Sequence, residues 1–218
     1  MIWQGKCPEC RADCAADATR RLPLGFLTLV SDIRDVIYVN YLLEADRVRH
    51  LIPPGLQLQR VGADGRYTVF SILTYRHGRF GPAGWRRLAQ SPIQSNWRLY
   101  VIDPQTRAAG VLFLTTAIDH VVYSLATRWL SENVPMHLLQ FATIEWHGAT
   151  IHQEIDPGAG SAPDLRLALH RRPTGKTGLT GLWRDCFTDF AALLAHVVPQ
   201  DRALSVQPWY RQITRQEI

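Results

Sequence analysis

The stretch Ser95–Asp103, SNWRLYVID, alternates as a strand does, yet both of its faces have interior character. Trp97, Leu99 and Val101 make one face and Asn96, Arg98 and Tyr100 the other, because successive strand residues point to opposite sides. Arg98 therefore has two destinations open to it. On a half-exposed strand it faces water. On a strand buried on both sides it points into an enclosed polar space that requires a fixed cation.

The flanks suggest which kind of sheet holds this strand. Asp103–Thr106 reads as a turn and Gly110–Thr116 as an apolar return strand. Before it, Phe26–Val30 and Val36–Leu43 are strand-like, and Ala45–Ile52 is predicted helical, stopped by Pro53-Pro54-Gly55. Leu56–Val61 and Arg66–Tyr75 read as a hairpin across the Gly62–Gly65 turn, and the glycine-rich His77–Ser91 as a long loop. Downstream, Ile118–Glu132 is predicted as a helix, with Asp119 in its first turn and Asn133-Val134-Pro135 ending it. Strands are expected over Met136–Trp146, Thr150–Ile155, Leu165–His170 and Ala203–Thr214. A second helix is expected over Leu182–Val198, with Thr180 as its cap and Pro199 as its stop. This pattern predicts an α+β domain with two main helices and an antiparallel, barrel-like or strongly curved sheet, since so many strands on a short chain must hide their edges.

The bulk properties agree with a globular chain. At 218 residues, 46% apolar and 20% charged, one domain with one sizeable core is expected. Residues 1–22 read as a Cys-containing N-terminal extension and 23–218 as the single domain. No apolar run approaches the roughly 20 residues of a membrane helix, so no membrane partner is expected. MIWQGKCPEC lacks the basic-then-apolar pattern of a secretory signal, so the expected location is cytoplasmic. The net charge is +5, but of 24 basic residues only Lys6 and Lys176 are lysines, and the arginines are scattered. Nucleic-acid binders gather charge into a stripe or module, which argues against that partner.

Three stretches in order, LIPPGLQLQ (Leu51–Gln59), NWRLYV (Asn96–Val101) and GVLFLTTAIDHVVYSLATRWLSENVPMH (Gly110–His137), together with QPWYRQI near the end, resemble the YqjF-like bacterial family, grouped with the acetoacetate decarboxylase-like superfamily. The resemblance covers roughly residues 25–213. It implies a barrel-like α+β fold around a polar pocket. In the decarboxylase, a lysine directly after a proline on a pocket strand forms a Schiff base with a keto acid. The matching proline here is Pro135, followed by Met136 and His137, and neither Lys6 nor Lys176 is an obvious substitute. A neutral amine is what makes the imine, so the resemblance implies the fold without that chemistry. It also implies that Asn96, Arg98 and Tyr100 line the interior beside Met136, while Trp97, Leu99 and Val101 pack under the helices. A buried arginine needs a partner. Glu145 or Asp119 could supply one internally, or an anionic ligand could match the guanidinium fork. His137 is the candidate general acid or base.

Other motifs are incomplete. KCPECRADC sets Cys7, Cys10 and Cys14 at zinc-knuckle spacing, but a closed site needs a fourth ligand. PTGKTG, Pro173–Gly178, lacks the first glycine of a phosphate loop, and HQE, His152–Glu154, lacks the cysteine pair of a zinc deaminase. The expectation is a cytoplasmic protein that binds a small anionic or carbonyl-bearing molecule in its barrel. It would carry no cofactor unless the cysteines take zinc. The alternative is a non-catalytic sensing or interaction module. Whether the chain is an enzyme, and whether it forms a homo-oligomer, are left open by the sequence.

Overall fold

The computed structural model describes residues 29–82, 84, 89–130, 136–170, 178–198, 202–206 and 213–217. Lys6, Lys176, Pro135 and the three N-terminal cysteines lie outside these residues, as does most of PTGKTG.

The central strand is β4, Ile93–Ile102. It is flanked by β3, Tyr67–Pro82, and β5, Ala109–Ile118, both antiparallel to it. The outer partner of β3 is β1, Leu29–Glu44. β1 is one long strand where two were predicted. Its register slips between Arg34 and Ile37, with Asp35 at φ 51°, so the polar break at Ser31–Asp35 bends the strand instead of ending it. β3 likewise runs on through His77 to Pro82, against the predicted loop. The predicted hairpin is also corrected: β3 pairs with β1, and only a Val61–Tyr67 bridge spans the Gly62–Gly65 turn. β2, Gln57–Leu58, instead pairs with the end of β4 beyond the last β3 contact.

The edge of β5 is shared by β6, Met136–Leu138, and β10, Arg202–Val206, both parallel to it. β11, Ile213–Glu217, closes an antiparallel hairpin on β10. A second sheet is the meander β7–β8–β9, Phe141–His147, Thr150–Asp156 and Leu165–His170. The architecture is therefore mixed and sheet-rich. No closed barrel is found among the described residues: the eight-stranded sheet runs open from β1 to β11, and no pairing joins its ends. Its exposed faces are covered by packing, which hides apolar surface as effectively as closure does.

The helices are short: α1 Ala45–Val48, continued by a 3₁₀ turn at Arg49–Leu51, α2 Val121–Leu130, α3 Leu182–Cys186 and α4 Phe190–Val197. The predicted Leu182–Val198 helix is broken because Phe187 is extended (φ −138°, ψ 138°). Asp189, not Thr180, provides a side-chain cap here, accepting from the Ala192 N–H at 2.7 Å. Replacing it by alanine is expected to cost about 1 kcal/mol in urea unfolding.

The two faces of β4 meet different neighbours. On one, Tyr100 packs with Val69, Val111, Phe187, Leu193 and Val197, so α3 and α4 cover it. On the other, Ile37, Ile93 and Ala117 pack against Ile144, Ile151 and Ile155 of the second sheet. This reverses the expectation for the helices. They cover the Arg98 face, and Trp97 and Leu99 face away from them.

Candidate functional site

Arg98 is wholly buried, with 0% of its surface exposed. Its Nη2 donates to the Val197 carbonyl at 2.8 Å, at the end of α4. Its guanidinium sits over two rings, 5.1 Å from Tyr38 and 5.6 Å from Tyr100. No carboxylate pairs with it among the described residues, and its Nε and Nη1 have no hydrogen-bond partner. A permanently charged fork with two unpartnered nitrogens in the protein interior is a costly arrangement.

Sequence alternation builds the rest of the wall. Ser71 pairs with Arg98 in register, and Asn40 with Ser71, so all three share one face. Ser71 Oγ donates to Asn40 Oδ1 at 2.5 Å and lies 2.8 Å from Tyr100 Oη, which also lies 3.0 Å from the Val197 carbonyl. Ser71 has spent its single proton on Asn40, so it can only accept from Tyr100. Val197 is then left chiefly to Arg98. Burial pushes the Tyr100 hydroxyl pKa up, opposed by the Arg98 charge, so it stays a neutral donor. Asn40 Nδ2 and His196 Nε2 are also buried without partners. The His196 ring lies 4.9 Å from Tyr100. Asn40, Arg98 and His196 thus bring unpartnered polar atoms to the surroundings of Tyr100; Thr115, His120 and Gln153 carry others elsewhere in the interior.

Further along the same face a polar chain continues. Ser31 Oγ meets His77 Nδ1 at 2.7 Å, His77 Nε2 meets Gln94 Oε1 at 2.9 Å, and Gln94 Nε2 donates to Asn96 Oδ1 at 2.8 Å. With its oxygen occupied, Asn96 offers its amide N–H groups, one of which lies 3.5 Å from Tyr75 Oη. Met136 pairs with Thr116, which in turn pairs with Asn96. It is buried on the Arg98 face, 4% exposed.

Four of the expected residues, Asn96, Arg98, Tyr100 and Met136, therefore come together. Three do not. Glu145 lies on exposed β7, paired with His147 at 3.2 Å. Asp119 follows β5 and accepts from the Ile93 N–H at 2.7 Å, and burial raises its pKa. Neither is a partner of Arg98. His137 pairs with Ala117, which pairs with Ser95, so it belongs to the opposite face. There it lines an open cleft of about 510 Å³ with Trp97, Leu99 and Ser161. Tyr38, Asn40, Ser71, His77 and His196 were missed by the sequence reading. The first four were recoverable from the alternation along β3 and along β1 after its irregularity at Arg34–Ile37. His196 had no signal, because only the break between α3 and α4 turns it toward Tyr100.

Two histidines make stability pH-dependent. Burial lowers the pKa of His196, and burial and then Arg128 lower that of His137, from 6.5. Below that value the unfolded chain binds protons that the folded chain resists, so stability is lost as pH falls from about 6.5 through the lowered folded values. His196→Leu is expected to flatten part of that slope in urea unfolding. An unchanged slope would assign it elsewhere.

The open, mixed sheet with a meander on one face and short helices over the other matches acetoacetate decarboxylase-like structures in fold. The structure is similar to acetoacetate decarboxylase from Legionella pneumophila subsp. pneumophila str. Philadelphia 1, with a TM-score of 0.56 at 12% identity. The match covers 84% of this chain but only 63% of the decarboxylase. The enduracididine biosynthesis enzyme MppR, in a form complexed with pyruvate, matches at a TM-score of 0.45 and 14% identity, over 83% of this chain and 65% of that one. No curated protein matches the chain significantly. Residues 31–177 match the model of the DUF2071 family, described as an uncharacterized conserved protein, and the chain belongs to that family. No described helix is long and apolar enough to cross a membrane.

Proposed function

We propose that this chain binds a small anionic or carbonyl-bearing organic molecule on the Arg98 face of β4. The carrying observation is the buried guanidinium, which among the described residues has no carboxylate partner and leaves two nitrogens without a hydrogen bond. A carboxylate would satisfy the fork and remove the cost of the isolated charge. The amide of Asn96 is a donor placed to orient the ligand's other oxygens, Tyr100 lies beside the guanidinium with its proton held by Ser71, and Tyr38 supplies an aromatic wall. No lysine occurs among the described residues, and Met136 cannot form an imine, so a Schiff base is not part of this reading. His137 faces the other side of the sheet and is not proposed to transfer protons to this ligand. The buried histidine on the Arg98 face is His77, connected through Gln94 to Asn96.

The test is a calorimetric titration with acetate, pyruvate and acetoacetate against their methyl esters. The acids are expected to bind at least about tenfold more tightly, the scale of one charge-assisted hydrogen bond. Equal affinity for acids and esters would overturn the assignment of an anion site.

A further inference from the structure

The opposite face of β4 carries a second feature that the Arg98 site leaves unused. A cleft of about 510 Å³ lies beside Trp97 and Leu99. One wall includes Leu51 of the 3₁₀ turn after α1, and the other includes Ser161 from the β8–β9 loop. Its size is within the range of small-molecule sites, and its make-up, apolar walls with a few convergent polar groups, is theirs too.

Three observations define what would fit. Among the described residues no Lys, Arg, Asp or Glu side chain lines the cleft, so they offer no ion-pair partner there. The apolar walls are partly fixed: Trp97 Nε1 is held by Ser95 Oγ at 3.2 Å, and the ring meets Phe70 edge-on at 5.9 Å. Leu51 and Leu114 stand 42% and 36% exposed at the cleft, which leaves apolar surface in water that an occupant would cover. The polar groups sit together. Ser161 Oγ and His137 Nδ1 are 3.0 Å apart, and the imidazole is kept neutral by burial and by Arg128. His137 Nε2 makes no hydrogen bond among the described residues.

We infer that the cleft is a second ligand site, separate from Arg98, for an uncharged molecule with an apolar body and a hydroxyl or carbonyl head hydrogen-bonded at His137 and Ser161. A neutral imidazole paired with a serine hydroxyl serves a neutral head, and a charged head would be desolvated with nothing to pair it.

The experiment titrates the full chain with decanol, read by calorimetry and by the fluorescence change that Trp97→Phe removes. Saturable 1:1 binding is expected. Leu114→Arg puts a long charged chain in the cleft from a half-exposed position and is expected to reduce affinity at least about tenfold without lowering the melting temperature. His137→Phe keeps the shape and is expected to weaken decanol by about tenfold or less, the loss of one hydrogen bond. Arg98→Met is expected to bind decanol as the wild type does, which separates this site from the first. Decanoate, tested in the Arg98→Met background, is expected to bind more weakly than decanol. Absence of saturable binding, or full affinity in Leu114→Arg, would overturn the inference. So would concentration-dependent dimerisation abolished by Leu114→Arg, since the cleft would then be an interface between copies.

Discussion

Arg98→Met is expected to leave the protein at least as stable as the wild type, to within about 1 kcal/mol, while reducing affinity for small carboxylates on the order of 100-fold. The stability half rests on competing magnitudes. The guanidinium gives up a hydrogen bond to Val197, about 1.5–3 kcal/mol for a charged donor, and two contacts over tyrosine rings, roughly 0.5–2 kcal/mol each. Against these stands a desolvation penalty of several kcal/mol for a buried ion with no counter-charge. Methionine fills much of the stem's volume and adapts to irregular space. Tyr100 Oη, 3.0 Å from the Val197 carbonyl, can turn its proton from Ser71 to that acceptor once the guanidinium is gone. The binding half follows from losing a bidentate charged donor, worth roughly two hydrogen bonds to an anion. Urea unfolding and titration with pyruvate measure the two halves independently. A loss of 3 kcal/mol or more would instead make Arg98 a structural residue satisfied by its own surroundings, contrary to the scale of the burial penalty.

Leu193→Ala is the substitution expected to cost the most stability, about 3 kcal/mol, with a fall of roughly 6–12 °C in melting temperature for a domain of this size. Leu193 is 2% exposed and joins α4 to the cluster around Tyr100, Val69 and Val111. α4 has only eight residues, so tertiary packing rather than helix propensity holds it. Loosening it also releases the Val197 carbonyl that fixes Arg98. Carboxylate affinity should therefore fall with stability in this variant, whereas in Arg98→Met the two part company. Calorimetric melting with and without pyruvate distinguishes these patterns. Unchanged stability would mean that α4 does not cover the site.

What the sequence disclosed was the period-two pattern. Asn96, Arg98 and Tyr100 were readable as one face because alternation survives burial on both sides. The same rule, applied to β7, sets Glu145 opposite the buried Ala142 and Ile144, and so outward. His137 was misplaced for a related reason. Adjacency to Met136 suggested a shared site, but adjacent strand residues point to opposite faces. The helix over Leu182–Val198 was misread because the apolar spacing continues through Phe187, where the backbone is extended and the chain turns to lay α4 on Tyr100. No local signal reports which face of a doubly buried strand the helices cover. That depends on where the β7–β9 meander packs, a contact distant in sequence.

The most direct test of the anion site is the thermal shift of the wild type and of Arg98→Met in pyruvate at low ionic strength. A ligand that binds only the folded chain raises stability by RT ln(1 + [L]/Kd), about 2.7 kcal/mol at a hundred times Kd. The account predicts a concentration-dependent rise for the wild type and none for a folded Arg98→Met. Equal shifts in both proteins, or no shift in the wild type beside a badly destabilised mutant, would contradict it.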